Sequence, residues 1–190
     1  MSGTPKRIIL AITGASGAIL GIRTLELLKE AGIETHLIIS RAARQTITSE
    51  TDWSVADVQA LASACYEPQD IGARIASGSF VTEGMLVVPC SIKSLSGIAN
   101  SYADDLVVRA ADVCLKEGRK LLLAVRETPL HTGHLQLMRQ AAQAGAIIFP
   151  PVPAFYGEAQ SVNELVTNLA GRILLRMGID NDRYHQWGRL

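Results

Sequence analysis

The residues with the most chemical potential stand in short polar clusters, each placed just after an apolar run. The first runs from Thr13 to Ala18, and its members Gly14, Ala15, Ser16 and Gly17 are all small. Small residues let a backbone approach a ligand closely. A helix starting here would turn unpaired N–H groups and a positive dipole end toward an anion such as a phosphate. A tight strand-to-helix turn without a ligand asks for the same glycines. The second cluster is Pro89, Cys90, Ser91, Ile92, Lys93 and Ser94. Its hydroxyls and N–H groups could meet the first loop across one ligand, while Ser91 as an ordinary helix cap is the alternative.

A third cluster, Arg126 to His131, sets a cation beside a carboxylate, Arg126 next to Glu127, which suits holding an anion and moving a proton. His131 and His134 have no third ligand at metal-binding spacing, so capping or surface exposure is expected of them. Pro150 to Tyr156 reads as a stiff loop whose terminal Tyr156 either closes a pocket or packs. Arg109 and Lys116 lie seven residues apart in a predicted helix and can share a phosphate. Asp105 with Arg109 and Asp112 with Lys116 offer another reading of the same spacing, a solvated face of i,i+4 ion pairs. Arg172 follows Leu165 by seven residues and Leu169 by three, which places a cation on an apolar stripe. There it needs an anionic partner, unless it snorkels at the stripe's edge.

The glycine pattern limits the nucleotide. A dinucleotide loop wants G-x-G-x-x-G with an acidic residue ending the second strand. This chain has G-x-x-G, and Ser40 and Arg41 follow its second apolar run, so NAD is disfavoured and Arg41 keeps only NADP open. No Gly-Lys-Ser/Thr follows Gly14, which removes the P-loop reading.

These clusters need elements to position them. Apolar runs at Arg7–Thr13, Thr35–Ile39, Met85–Pro89, Leu121–Val125 and Ala146–Phe149 read as five strands of a parallel sheet covered on both faces. Helices are expected from Ala18 to a stop at Gly32, and over Arg41–Ser49, Ser54–Ala64, Ser91–Ala99, Asp105–Glu117, Leu135–Ala144 and Ser161–Met177. Ser54 with Asp57 and Ser161 with Glu164 have the spacing of N-terminal caps. Glu67–Glu83 reads as a loop or crossover, with Phe80 its one aromatic residue. The fold class is therefore α/β, a three-layer Rossmann-like arrangement in one domain spanning residues 1–190.

Composition narrows the function further. Eighteen basic and eighteen acidic residues cancel, and no basic run suggests nucleic acid. Charged residues make up only 19% of the chain against 48% hydrophobic ones, which points to apolar surface buried in a homo-oligomer. No stretch is long and apolar enough for a membrane span, and no targeting segment opens the chain, so a cytoplasmic protein is expected. Cys65, Cys90 and Cys114 are odd in number and widely spaced, and are expected as free thiols.

Taken in order, TGASGA, ISRAARQTITSETD, PCSIKSLSGIA, RAADVCLKEGRKLLLAVRETPLH and PPVPAFY resemble the flavin prenyltransferase family of the UbiX kind, through nearly the whole chain. The resemblance implies a flavodoxin-like fold in a homo-oligomer, a dodecamer. It implies a metal-independent reaction joining the dimethylallyl group of dimethylallyl phosphate to N5 and C6 of reduced FMN. The product, prenylated FMN, serves a UbiD-type decarboxylase in ubiquinone biosynthesis. Carried onto this sequence, FMN contacts Gly14, Ala15, Ser16, Ser40, Ser91, Ile92, Lys93, Ser94 and Arg126. The allylic phosphate falls to Lys116, Tyr156 and Arg172, with Arg109 and Glu127 near it. Ser16, Glu50, Lys116 and Glu127 make up the expected catalytic group, with Glu50 orienting a lysine or the phosphate and handling a proton. Tyr156 and Trp187 are the expected wall for the allyl cation. Whether a neighbouring subunit completes the pocket stays open. Two rivals share the FMN loops: a flavin-dependent decarboxylase of a cysteine-derived carboxylate, and a flavin-binding accessory subunit without activity.

Overall fold

The apolar runs become the middle of a parallel sheet. The computed structural model describes residues 6–184 and 187–188. Its strands are β1 (Arg7–Ile12), β2 (Glu34–Ile39), β3 (Ala64–Tyr66), β4 (Gly84–Cys90), β5 (Lys120–Val125) and β6 (Ile147–Ile148), in spatial order β3-β2-β1-β4-β5-β6. Every neighbouring pair is parallel. The helices are α1 (Ala18–Glu30), α2 (Arg41–Glu50), α3 (Val55–Gln59), α4 (Ile92–Ala99), α5 (Leu106–Lys116), α6 (Thr132–Gln143) and α7 (Val162–Met177).

Strand alternation assigns the two helical layers. Ile8, Leu10 and Ile12 face one way and pack with Leu25 and Leu28 of α1, Ile47 of α2 and Ile173 of α7. Ile9, Ala11, Met85 and Val87 face the other way, against Leu95 of α4, Val107 and Ala110 of α5, and Ala141 of α6. Burying a Leu or Ile side chain contributes about 1.5–3 kcal/mol, whereas a surface ion pair contributes about 0–1 kcal/mol. The two apolar layers therefore hold the strands in place. Helix α1 lies so close to the sheet that a Cβ on Gly21 would overlap the Val88 carbonyl oxygen.

Two sequence expectations need correction. The sheet has a sixth strand, β3, where a helix was expected to run on to Ala64; α3 stops at Gln59. Strand β3 is short and only partly buried, so it carries no apolar run, and its pairing to β2 through His36–Ala64 and Ile38–Tyr66 is a backbone matter. Helix α6 begins at Thr132 rather than Leu135, because the His131 ring caps it by accepting from Gly133 N at 3.0 Å. The caps at Ser54 and Ser161 form as expected, accepting from Asp57 N and Glu164 N.

Candidate functional site

The chain leaves β1 toward β2 on one side and reaches β5 from β4 on the other, so strand order reverses between β1 and β4. At such a switch point the loops beyond the carboxyl ends part and leave a crevice. Here Thr13 fixes the crevice floor. Its buried hydroxyl donates to the Pro89 carbonyl at 2.7 Å and accepts from Ser91 N at 2.8 Å, tying the loop after β1 to the loop after β4. The sequence reading passed over Thr13 as a loop member. A hydroxyl directly after a run of buried aliphatic residues was the available signal.

A cavity of about 690 Å³ opens above this stitch, within the roughly 300–1,000 Å³ usual for small-molecule sites. Gly14, Ser40, Ser91, Lys93 and Ser94 line it, so five of the residues expected around FMN share one space. Arg41, weighed in the sequence only as an NADP contact, also lines it, and Gln45, Gln69 and Asp104 do so without having been foreseen. Two helix N-termini meet at this cavity. Ser40 caps α2 by accepting from Ala43 N at 3.2 Å, and Ser91 caps α4 by accepting from Ser94 N at 3.3 Å. Ser91 is therefore both a cap and a lining residue. The positive helix ends, with Arg41 and Lys93, suit a phosphate. Asp105 opposes this only weakly, because its carboxylate caps α5 through Val108 N at 3.0 Å and meets Lys93 Nζ at 3.5 Å.

The start of α1 differs from expectation. Gly17 N and Ala18 N donate to Glu50 Oε2 at 2.7 and 3.3 Å, so an internal carboxylate stands where sequence suggested a ligand phosphate. Gly17 has φ 99°, the left-handed conformation that glycine adopts without strain. Gly14 is small for another reason, since a Cβ there would overlap that of Ala42 at the start of α2. Ala15 is buried beneath the loop and Ser16 is exposed at its tip. The same contact fixes Glu50 beside the loop that carries Ser16, so its carboxylate orients a helix end where a lysine or the phosphate was expected.

The cations separate. Helix α5 starts at the crevice and runs back along the sheet, so Lys116, its last residue, lies beside the start of β5 at the opposite edge. Six strand residues at about 3.3 Å each put roughly 20 Å between the edges. Lys116 pairs with Glu117 at 2.6 Å, and Arg109 pairs with Asp112 at 3.4 Å. The expected Asp112–Lys116 and Asp105–Arg109 pairs are replaced by these nearer partners. Arg172 is on the other layer and exposed: the α7 stripe is Leu169, Ala170, Ile173, Leu174 and Met177, with Arg172 at its margin. Its guanidinium lies 5.5 Å from the centre of the Tyr184 ring. Tyr156 bonds Tyr184 through their hydroxyls at 2.6 Å and meets Trp187 edge-on at 5.2 Å. The Tyr184 hydrogen bond holds the Tyr156 phenol above its usual pKa, so it remains a hydroxyl.

Arg126 and Glu127 are exposed at the carboxyl edge after β5, as their place in sequence implied. Glu127 Oε1 accepts from Thr128 N at 2.9 Å. His131 and His134 stack with ring centres 3.6 Å apart. Burial pushes the Cys90 thiol up to about 12, so the cysteine nearest the crevice is not a thiolate nucleophile at neutral pH.

Residues 2–174 match the family model described as Flavoprotein. The Flavin prenyltransferase UbiX of Escherichia coli is 55% identical over 185 residues, covering 96% of this chain and 98% of that one. The family is decided by that match. This chain belongs to the UbiX-type flavin prenyltransferases. Among solved structures, AnUbiX in complex with FMN and dimethylallyl pyrophosphate superposes with a TM-score of 0.97 at 45% identity, over 98% of this chain and 100% of that one. A dodecameric FMN-dependent UbiX-like decarboxylase from Escherichia coli O157:H7 gives 0.93 at 47% identity, over 95% and 98%. Within one chain of this flavin prenyltransferase, Gly14, Ser40, Ser91, Lys93 and Ser94 share one cavity, while Lys116 and Arg172 lie on different layers. No helix among the described residues is long and apolar enough to cross a membrane.

Proposed function

We propose that the crevice between the β1 and β4 loops binds reduced FMN and that the enzyme prenylates it there with dimethylallyl phosphate. The observation carrying this reading is the single cavity lined by Gly14, Ser40, Ser91, Lys93 and Ser94, in a chain of a flavin prenyltransferase family. The helix ends at Ser40 and Ser91 hold the flavin's phosphate, and Ala15, Ser16, Ile92 and Arg126 complete the contact. Reduced FMN supplies two nucleophilic atoms, N5 and C6, each exchanging a proton for a carbon of the prenyl unit. The allylic C–O bond breaks and its electron pair leaves on phosphate. Of the two protons released, one returns to the prenyl chain as its double bond is consumed, and the other goes to phosphate. Glu50, fixed beside Ser16 by two backbone N–H groups, is placed to carry a proton, and Ser16 assists at the ring. Glu127 carries a proton at the leaving phosphate.

Fixed cations stabilise the departing phosphate far more than mobile ones, because they need no reorganisation as charge develops. Lys116 and Arg109 on one layer and Arg172 and Tyr156 on the other serve this need from neighbouring copies. A homo-oligomer, a dodecamer like the Escherichia coli O157:H7 relative, is thus part of the proposal. Three free thiols suit a reducing, cytoplasmic setting. The product is delivered to a UbiD-type decarboxylase. Anaerobic incubation with reduced FMN and dimethylallyl phosphate, followed by mass spectrometry of the released flavin, tests this. The expected flavin is heavier by one isoprene unit; an unchanged mass defeats the transferase reading.

A further inference from the structure

The Lys116–Glu117 pair is built into a larger latch at the amino edge of the sheet. Arg119 follows β5's entry turn and donates from Nη1 to the Phe80 carbonyl at 2.9 Å and from Nη2 to the Gly78 carbonyl at 2.5 Å. The turn it grips is also fixed from the other side. The Phe80 ring lies 4.3 Å from the Arg74 guanidinium and 5.1 Å from that of Arg7, and the His36 ring meets it edge-on at 4.9 Å. Gly78 is thereby pressed against the ion pair. A Cβ on Gly78 would overlap the Glu117 carboxylate and come within 3.1 Å of Lys116 Nζ.

We propose that Arg119, Gly78 and Glu117 are positioning residues, which fix the Lys116 ammonium in the direction from which it meets the allylic phosphate. The inference rests on the phosphate role given to Lys116 above. A lysine has four rotatable side-chain bonds and a substantial rotamer entropy, so an unheld Lys116 loses much of its worth as a fixed charge. Glu117 holds the amine at 2.6 Å while the Lys116 side chain keeps 49% of its exposure, enough to face a second copy. The Gly78 backbone forms the wall that keeps the carboxylate on the lysine. Arg119 holds that wall still. Neither Arg119 nor Gly78 touches the flavin crevice, so losing either affects the allylic substrate and leaves the flavin alone.

Four variants of the full-length enzyme decide the matter: Lys116→Ala, Gly78→Ala, Arg119→Met and Arg119→Lys. The φ of Gly78 lies outside the left-handed region, so alanine there disturbs the ion pair without backbone strain. For Gly78→Ala and Arg119→Met the expected result is a KM for dimethylallyl phosphate raised about tenfold or more, with FMN affinity and subunit assembly unchanged. Arg119→Lys, which keeps one donor, falls between. A raised KM in Lys116→Ala with normal values in both Gly78→Ala and Arg119→Met overturns the positioning role alone. A normal KM in Lys116→Ala overturns the phosphate role of Lys116, and the inference with it.

Discussion

At the scale of single residues, Thr13 and Glu50 carry the most testable chemistry. The Thr13 hydroxyl satisfies both the Pro89 carbonyl and Ser91 N in a fully buried place. Thr13→Val keeps the shape but leaves Ser91 N unpaired and the Pro89 carbonyl with only its longer bond from Thr13 N at 3.3 Å, which destabilises by about 1–3 kcal/mol and loosens the crevice floor. Urea unfolding should show that loss, together with weaker FMN binding; a variant as stable as the parent would remove Thr13 from the account. Glu50→Gln keeps an oxygen for Gly17 N but loses the charge at the α1 N-terminus, a loss of about 0.3–1 kcal/mol. Its FMN binding should persist while single-turnover prenylation falls by about a hundredfold or more, as for a lost proton carrier. The small residues Gly14 and Gly17 were legible as a tight strand-to-helix turn, but their separate reasons were not. One gives room to Ala42 and the other supplies a turn whose N–H faces Glu50, and both reasons come from α2, far along the chain.

At the scale of elements, the crevice depends on two helices beginning at the right place. Ser40→Ala and Ser91→Ala each remove a cap worth about 1 kcal/mol, and each also removes a hydroxyl from the cavity. Calorimetric titration with FMN should show weaker binding in both variants, whereas Ser161→Ala, a cap outside the cavity, should lower stability alone. Equal FMN affinity in all three would detach α2 and α4 from the ligand. The four long strands β1, β2, β4 and β5 were readable because strands buried on both faces need unbroken Ile, Leu and Val, and the two-residue edge strand β6 was readable from its Ile147–Ile148 pair. Strand β3 was hidden for the opposite reason: it is a short edge strand, and its backbone pairs with β2 without demanding any particular side chain.

For the whole molecule, folding brings together groups that sequence shows only as separate charges. His36 is buried on β2, where Nε2 donates to Glu34 Oε1 at 3.0 Å and Nδ1 accepts from the Tyr66 hydroxyl at 2.9 Å. Arg7, Arg74 and Phe80 surround the same place. Burial lowers the His36 pKa, against the raising pull of Glu34, so on acidification the unfolded chain takes up this proton first. Stability present above the ordinary histidine value of 6.5 is therefore lost as pH falls below it. Glu34 adds a further loss below its ordinary 4.5: burial raises its pKa, but the hydrogen bonds from Arg7 and His36 outweigh that and lower it. Urea midpoints measured from about pH 7 to about pH 5 should fall, and the slope should shrink in His36→Gln. An unchanged slope would contradict the histidine's part.

The location of Lys116 was the least legible feature of the site. Its sequence neighbours say that it lies on a helix but not that the helix ends at the far edge of the sheet, and composition points to a homo-oligomer without saying which residues meet a second copy. The proposal that one copy holds the flavin and another supplies the lysine is tested most directly by mixing two impaired enzymes at a low concentration of dimethylallyl phosphate. Glu50→Gln and Lys116→Ala chains, unfolded together in equal amounts and refolded into mixed oligomers, should regain about a quarter of the parental prenylation, since random assembly joins an intact Glu50 to an intact Lys116 in that share of sites. If the mixture stays as slow as either variant alone while its subunits have demonstrably exchanged, the shared site is contradicted.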